Sequence, residues 1–255
     1  MRNATDDSRL RPSAAAEALG LPAGIRACLF DLDGVLTQTA QLHDAAWKET
    51  FDSFLQDRSR ERGEVFVPFD PELDYERYVD GRPRRDGVRQ FLAARRIDVD
   101  AETVTVLGDR KNELVLELIR RQGLEPYEGS VRYVQAVRKA GLRRAVVSAS
   151  ANCRAALEAA RLTDLFEVRI DAARAEQEHL PGKPAPDTFL AAARELEVDP
   201  ADAAVFEDAL AGVAAGRAGR FGFVVGVDRT GHADALRRAG ADLVVSDLGE
   251  LLERR

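Results

Sequence analysis

The chain has 255 residues, of which 45% are hydrophobic and 32% are charged, and its formal net charge is -7. This composition is typical of a soluble globular protein with one large or two modest domains, and the acidic balance argues against nucleic acid or an anionic membrane as the main partner. No segment approaches the ~20 apolar residues of a membrane span and the N-terminus lacks the apolar run of a secretory signal, so we expect a cytoplasmic protein. Cys28 and Cys153 are too few for a disulfide framework or a zinc site, and we expect both thiols in or near the core.

The first strand of the chain is predicted to end at a pair of carboxylates. Residues 1–23 are polar and then rich in alanine, and we expect a frayed N-terminal extension with at most a short helix over residues 13–19. Residues 26–30 are mostly apolar, as in a strand buried on both faces, and this run stops at Asp31 and Asp33. In an open α/β sheet such strand ends face the ligand crevice, although the same residues also occur in ordinary solvated turns.

The next stretch of the chain contains helical patterns but no strand pattern. A helix is predicted over residues 41–60, where apolar side chains fall near one face, and shorter helices over residues 88–95 and 111–122. Because strands and helices do not alternate here, we expect a small helical domain, the cap, inserted after the first strand. The predicted units are an N-terminal extension (1–23), an α/β core (24–40 and 124–255) and the cap (41–123).

From residue 127 onward, strand and helix patterns alternate to the C-terminus. This alternation predicts a parallel, doubly wound sheet of the Rossmann-like α/β class. The predicted strands cover residues 144–148, 166–170, 203–206, 221–227 and 242–245.

Polar groups of complementary charge follow several of these strands or lie on the loops between them. Carboxylates that are brought together repel one another, and Mg²⁺ is a hard cation that binds carboxylates together with phosphate. A lysine and a hydroxyl beside them are suitable donors to phosphoryl oxygens, so the sequence predicts a phosphoryl-transfer site. The residues concerned are Asp31, Asp33, Ser148, Lys183, Glu207 and Asp208.

A set of short segments in a fixed order carries a family resemblance. These segments are Asp31-Leu-Asp-Gly-Val-Leu-Thr-Gln-Thr39, His43 and Trp47, Arg110-Lys-Asn112, Ser148-Ala-Ser-Ala-Asn152, Lys183-Pro-Ala-Pro-Asp187 and Glu207-Asp-Ala-Leu-Ala-Gly212. With them the chain resembles the haloacid dehalogenase superfamily, and within it the β-phosphoglucomutase-like members that carry a helical cap after the first strand. The resemblance implies Mg²⁺ as the cofactor, a small phosphorylated sugar as the ligand, and a monomer or weak homodimer.

The resemblance also implies a role for each catalytic residue. Asp31 is implied to be the nucleophile that forms an aspartyl-phosphate. Asp33 is implied to be the general acid/base that protonates the leaving oxygen and deprotonates the incoming hydroxyl, and the dehalogenating relatives lack a carboxylate at this position. Ser148 and Lys183 are implied to hold the phosphoryl oxygens.

A metal site is implied at the same strand ends. Its ligands are the carboxylates of Asp31 and Asp208 and the backbone carbonyl of Asp33, with Glu207 assisting directly or through water.

The resemblance further implies a set of substrate-binding residues, several of which have simpler explanations. His43 also fits an ordinary half-buried position on a helix, and Thr39 also fits a helix N-cap. Without the resemblance, Arg84 fits a solvated surface charge. Trp47 fits packing within the cap, and the segment from Arg110 to Asn112 fits capping and binding equally well. The implied substrate-binding residues are Thr39, His43, Trp47, Gly81, Arg84, Ala149, Ser150 and Asn152.

The activity that the resemblance implies is interconversion of β-glucose 1-phosphate and glucose 6-phosphate through a bisphosphate. A sugar-phosphate phosphatase with water as the acceptor is the runner-up, and a sensor without catalytic activity is a remote alternative, because the nucleophile and the acid/base are both present. Family mutases carry a lysine just before a glycine of the cap that corresponds to Gly81, whereas this chain has Asp80 at that position. We therefore expect the substrate's distal phosphate, the one that does not react with Asp31, to be bound by Arg82, Arg84 or Arg85.

Overall fold

The computed structural model describes residues 12–253, and a parallel sheet lies at its centre. The sheet consists of β1 (Ala27–Phe30), β2 (Arg143–Val147), β3 (Val168–Ile170), β4 (Ala203–Glu207), β5 (Phe223–Val227) and β6 (Leu243–Val245). Its six strands lie in the order β3-β2-β1-β4-β5-β6, and every neighbouring pair is parallel. The predicted doubly wound α/β fold is confirmed.

Helices cover the sheet and form the segment inserted after β1. They are α1 (Pro12–Glu17), α2 (Ala40–Arg62), α3 (Arg84–Ala94), α4 (Ala101–Gln122), α5 (Glu128–Lys139), α6 (Cys153–Ala159), α7 (Ala172–Gln177), α8 (Asp187–Glu195), α9 (Leu210–Ala218) and α10 (Ala233–Ala239). A single π-helical turn spans Tyr75–Val79, and short 3₁₀ turns span Thr163–Leu165, Pro200–Asp202 and Leu248–Leu252. Within residues 12–253, no helix is both long and apolar enough to cross a membrane.

The central strand β1 is buried on both faces because its side chains alternate between two apolar clusters. Phe30 points into one cluster, where its ring stacks on Phe206 with the ring centres 4.5 Å apart. Leu29 points into the other cluster, together with Phe189 of α8. The thiols of Cys28 and Cys153 are free and buried, as expected from the sequence.

The segment before β1 packs on the core rather than fraying. Ala15, Ala16, Leu19 and Leu21 are buried in the same cluster as Phe30. The hydroxyl of Tyr133 also donates a hydrogen bond to the carbonyl of Leu19 at 3.0 Å. The expectation of a frayed extension is therefore wrong for residues 15–21, because their small and apolar side chains cover the sheet. Residues 1–11 lie outside the described part of the chain.

The inserted helices have an apolar cluster of their own, centred on the stacked rings of Trp47 and Phe51. Two helices begin earlier than predicted: α3 at Arg84, and α4 at Ala101, where the Asp100 carboxylate accepts from Thr103 N–H at 2.7 Å. The first turn of α3 is polar and was therefore missed. The early turns of α4 already contain the buried Val104 and Leu107, but they are followed by Gly108, whose helix propensity is low. The division into a core and a cap domain stays a prediction, and "cap" denotes residues 41–123 below.

Candidate active site

Several strands end at polar side chains on one edge of the sheet. The last residue of β1, Phe30, is in register with Val146 of β2 and with Phe206 of β4. The strand order reverses between β1 and β4, which is where open α/β sheets bind ligands. The side chains placed there are Asp31 and Asp33 after β1, Ser148 after β2, and Glu207 and Asp208 at the end of β4.

Lys183 lies in the middle of these strand ends and is almost fully buried. Its ammonium donates to Asp31 Oδ1 at 2.5 Å and to the carbonyl of Val147 at 3.2 Å, and it also contacts Glu207 Oε1. Burial by itself would favour the neutral amine, but the two carboxylates outweigh it and raise the pKa of Lys183 above its ordinary value. The lysine is therefore a fixed positive charge beside Asp31.

Three carboxylates converge next to this lysine. Asp31, Glu207 and Asp208 each place an oxygen within 4.8 Å of the oxygens of the other two. Burial raises the pKa of Asp31 and of Asp208 well above the ordinary range, and the neighbouring carboxylates raise it further. Among residues 12–253, Lys183 is the cation that forms ion pairs with this group. Oxygen ligands with an excess of negative charge fit a hard divalent cation such as Mg²⁺.

Two glycines make room for the acidic side chains. A Cβ at Gly34 would lie 1.7 Å from Asp208 Oδ2, and one at Gly212 would lie 1.9 Å from the carboxylate carbon of Glu207. Gly34 also has a φ of +80°, a conformation that side chains with a Cβ rarely adopt. The glycine after the two aspartates is therefore needed both for the turn and for the approach of Asp208.

The carboxylate of Asp33 lies outside the three-carboxylate group and contacts the start of α2 instead. Its Oδ1 accepts a hydrogen bond from the Thr39 hydroxyl and lies 3.5 Å from His43 Nε2. Thr39 is at the N-cap position of α2, but its side chain makes no capping hydrogen bond. The simple N-cap explanation of Thr39 is therefore wrong for its hydroxyl. The expected metal contact of the Asp33 carbonyl stays a prediction.

Lys111 of α4 extends this contact into the cap. Its ammonium lies 2.9 Å from His43 Nδ1 and 4.8 Å from the centre of the Trp47 ring. Burial and the charge of Lys111 lower the pKa of His43 to about 4, so His43 is neutral near pH 7 and its Nδ1 can accept from the lysine. Burial also lowers the pKa of Lys111 to about 7. Lys111 was not among the predicted site residues, because its segment fitted helix capping and substrate binding equally well.

A cavity of about 490 Å³ lies between the cap and the sheet edge. Most of the predicted site residues line it, whereas Thr39 and Glu207 are buried behind its wall. Trp47 is buried in the cap's apolar cluster, as its packing explanation requires, and also reaches the cavity. The predicted residues that line the cavity are Asp31, Asp33, His43, Trp47, Gly81, Arg84, Ser148, Ala149, Ser150, Asn152, Lys183 and Asp208.

The loop after β2 connects the core to α4. Ser148 Oγ accepts from the Ser150 N–H at 3.0 Å, and Ser150 Oγ accepts from the Asn152 N–H at 3.1 Å. The side-chain amide of Asn152 donates to Asn112 Oδ1 at 2.9 Å. This contact places the loop against the cap, and Asn112, like Lys111, lines the cavity.

Arginines of the cap form part of the wall of the cavity that the core carboxylates also line. Arg82, Arg84 and Arg85 all line the cavity. Arg84 is half-buried with its guanidinium 3.4 Å from Asp109, so it is not a freely solvated charge. Asp80 also lines the cavity, and burial and the Glu207 carboxylate raise its pKa to about 7.

The cap touches the core through two glycines. A Cβ added at Gly81 would lie 2.8 Å from the Cβ of Ala209, and one added at Gly182 would lie 2.1 Å from Pro83 Cγ. Arg85 additionally lies 3.7 Å from Glu176 of α7. These contacts hold the arginines of the cap close to the strand ends of the core.

Comparison with known proteins agrees with this geometry. The family model of haloacid dehalogenase-like hydrolases matches residues 25–220. The chain belongs to this family. It is 54% identical over 253 residues to a β-phosphoglucomutase of Mycobacterium bovis, which covers 94% of this chain and 97% of the relative. The resemblance found in the sequence is thereby confirmed.

Further members of the family differ in their reactions. A validoxylamine A 7'-phosphate phosphatase of Streptomyces hygroscopicus is 29% identical over 238 residues, covering 89% of this chain and 95% of the relative. The crystal structure of a β-phosphoglucomutase from Clostridium difficile is similar with a TM-score of 0.72 at 27% identity, covering 89% of this chain and 93% of the other. The family thus contains both mutases and phosphatases.

Proposed function

We propose that the protein is a Mg²⁺-dependent β-phosphoglucomutase that interconverts β-glucose 1-phosphate and glucose 6-phosphate through the 1,6-bisphosphate. The observation that carries this proposal is that charged groups of the core and of the cap form two walls of one cavity. Asp31, paired with Lys183, lies on the core wall, and the arginines of residues 82–85 lie on the cap wall. A substrate with a phosphate at each end fits between them, and 54% identity to a relative of that name supports the same activity.

The core residues account for both half-reactions. Asp31 attacks phosphorus and forms an aspartyl-phosphate, while Lys183 and Ser148 bind the phosphoryl oxygens on which charge accumulates. Asp33 donates a proton to the leaving sugar oxygen and takes a proton from the hydroxyl that later attacks the aspartyl-phosphate. Thr39 holds the Asp33 carboxylate in place.

The three-carboxylate group is suited to hold the metal ion. Asp31 and Asp208 would bind it together with the Asp33 carbonyl, and Glu207 would assist directly or through water. When bound, Mg²⁺ neutralises the charge that otherwise keeps the phosphate and the carboxylates apart.

The cap residues account for the return of the phosphoryl group to a sugar. Arg84 would bind the distal phosphate together with Arg82 and Arg85, while His43 and Asn152 would contact the sugar. Closure of the cap over the bound sugar would keep water away from the aspartyl-phosphate, which favours transfer to sugar over hydrolysis. We also propose that the enzyme acts in the cytoplasm as a monomer or weak homodimer.

A sugar-phosphate phosphatase is the second candidate, because Asp80 stands where family mutases carry a lysine and because a relative is a phosphatase. Incubation with β-glucose 1-phosphate, Mg²⁺ and a trace of the 1,6-bisphosphate distinguishes the two. We expect glucose 6-phosphate as the main product. Release of inorganic phosphate without glucose 6-phosphate would reject the mutase in favour of the phosphatase.

Closure of the cap can be tested at Gly182. A methyl group there would meet Pro83, so we expect Gly182→Ala to hold the cap away from the core and to lower kcat by about 100-fold. The melting temperature should not change, because an open cap relieves the clash. Gly24→Ala is the matched control, since its added Cβ has no atom within 4 Å. Equal kcat values for the two variants would show that closure does not require this contact.

The metal site can be tested without measuring activity. We expect Mg²⁺ to raise the free energy of unfolding by about 2.7 kcal/mol at a concentration 100 times its dissociation constant, because it binds only the folded carboxylate group. Chelation with EDTA should remove both this gain and all turnover. In a thermal-shift titration Asp208→Asn should lose the gain and Asp171→Asn should keep it, since Asp171 lies outside the group. A full gain in Asp208→Asn would place the ion elsewhere.

A further inference from the structure

The chain passes between core and cap through two crossing segments, residues 36–38 and 125–127, which pair with each other. The N–H of Gln38 donates to the carbonyl of Glu125 at 2.9 Å, and the N–H of Tyr127 donates to the carbonyl of Leu36 at 3.0 Å. Any movement of the cap relative to the core must therefore bend or twist this pair.

Arg229, on the loop after β5, lies against the core end of both crossing segments. Its Nε donates to the carbonyl of Gly34 at 3.0 Å, and its Nη2 lies 3.5 Å from the carbonyl of Val35. The guanidinium carbon lies 3.6 Å from the centre of the Tyr127 ring. One side chain thus touches the residues that lead into the first crossing segment and the last residue of the second.

The remaining donors of Arg229 are also occupied. Nη1 donates to the carbonyl of Ser246 at 2.6 Å and to Asp247 Oδ2 at 3.1 Å, and Nη2 lies 3.4 Å from Ser130 Oγ. The Ser130 hydroxyl in turn donates to the carbonyl of Val35 at 2.7 Å. A guanidinium has five N–H donors in a rigid plane, whereas a lysine ammonium cannot match this arrangement. Arg229 is therefore held in a single position.

The loop that carries Arg229 is itself fixed and reaches a second part of the site. The carboxylate of Asp228 accepts hydrogen bonds from the backbone N–H groups of residues 230–233. His232 Nε2 lies 3.3 Å from the carbonyl of Asp208. The loop thus supports the acidic end of β4 as well as the turn at Gly34, which lies next to Asp33.

We propose that Arg229 is a positioning residue that clamps the two crossing segments to the core, so that the cap closes with Asp33 correctly placed. Without the clamp, the pairing of the segments loosens, the cap closes less completely and more water reaches the cavity. The first consequence depends only on the fold. The second rests on the proposed function, because it concerns the fate of the aspartyl-phosphate.

Amide hydrogen exchange of the whole protein tests the first consequence. In Arg229→Met we expect the amides of Gln38 and Tyr127 to exchange about tenfold faster, as for the loss of roughly one hydrogen bond. Arg144→Met is the matched control, because Arg144 is also largely buried and donates to the carbonyl of Leu165, but it lies at the opposite end of the sheet. Unchanged exchange at both amides in Arg229→Met would overturn the proposal, whatever the reaction of the enzyme.

Two milder variants keep the test decisive if Arg229→Met does not fold. Arg229→Lys retains the charge without the planar fork, and Tyr127→Leu removes only the stacking contact. We expect both to accelerate exchange at the Gln38 amide, by less than tenfold. Protection equal to that of the unmodified protein in both variants would overturn the proposal.

Product analysis tests the second consequence. With β-glucose 1-phosphate as substrate, we expect Arg229→Met to raise the ratio of inorganic phosphate to glucose 6-phosphate by about tenfold, and Arg144→Met to leave it unchanged. An equal rise in both variants would assign the effect to general loss of stability and contradict the clamp. If the unmodified protein forms no glucose 6-phosphate, the mutase assignment fails while the exchange experiment still decides the role of Arg229.

Discussion

Asp31→Asn should lower kcat for β-glucose 1-phosphate by about 10⁴-fold or more, because an amide cannot serve as the nucleophile that accepts the phosphoryl group. The variant should remain folded. Lys183 keeps Glu207 and the carbonyl of Val147 as partners, and the new amide has nearly the same shape as the carboxylate. Steady-state turnover and the thermal melting curve are the two measurements.

The matched control is Asp171→Asn. Asp171 and Asp31 are equally buried, each with 7% of its surface exposed, but Asp171 caps α7 by accepting from the Arg174 N–H and pairs with Arg169. We expect Asp171→Asn to retain the turnover of the unmodified enzyme. Near-normal turnover in Asp31→Asn would exclude Asp31 as the nucleophile. An equal loss of turnover in both variants would be explained by a general loss of stability.

Asp33→Asn should lower kcat for β-glucose 1-phosphate by about 10²–10⁴-fold, the usual contribution of a positioned general acid/base. The physical reason is that a sugar alkoxide is a poor leaving group and needs the proton that Asp33 supplies. p-Nitrophenolate leaves without a proton. The rate at which the variant releases p-nitrophenolate from p-nitrophenyl phosphate should therefore fall much less.

The ratio of the two activities separates acid catalysis from simple disruption of the site. Thr39→Val is a useful companion, because it removes the hydroxyl that donates to Asp33 and leaves the carboxylate in place. We expect it to show the same selective loss with the sugar phosphate, to a smaller extent. If Asp33→Asn lowered both activities equally, the carboxylate would be acting on binding or metal geometry rather than on the leaving group.

The strand ends of the site could be predicted from sequence because they obey a local rule. In a parallel sheet an apolar run that stops at a polar residue delivers that residue to one edge, and this applies to Asp31, Ser148 and Glu207 alike. Lys183 lies on a loop with no periodic signal, and it was predicted at the site because a lysine beside carboxylates is a suitable donor to phosphoryl oxygens. The structure brings it to 2.5 Å from Asp31.

The contacts that close and support the site could not be predicted, because they join residues far apart in the chain. Pro83 meets Gly182, Lys111 meets His43, and Arg229 meets Gly34, and none of these pairs has a spacing or pattern that marks it. The packed N-terminal segment was missed for a related reason. Short alanine-rich stretches have the same composition whether they cover a sheet or remain in solvent.

The central claim is that Asp31 carries the phosphoryl group during turnover, and trapping the phosphoenzyme tests it most directly. After brief reaction with glucose 1,6-bisphosphate and Mg²⁺, reduction with borohydride converts an aspartyl-phosphate to homoserine, which peptide mass spectrometry locates. We expect homoserine at position 31, at a yield that falls when glucose 6-phosphate is added as acceptor. Homoserine at position 33, a phosphate on Ser148, or an unmodified chain under turnover conditions would contradict the account.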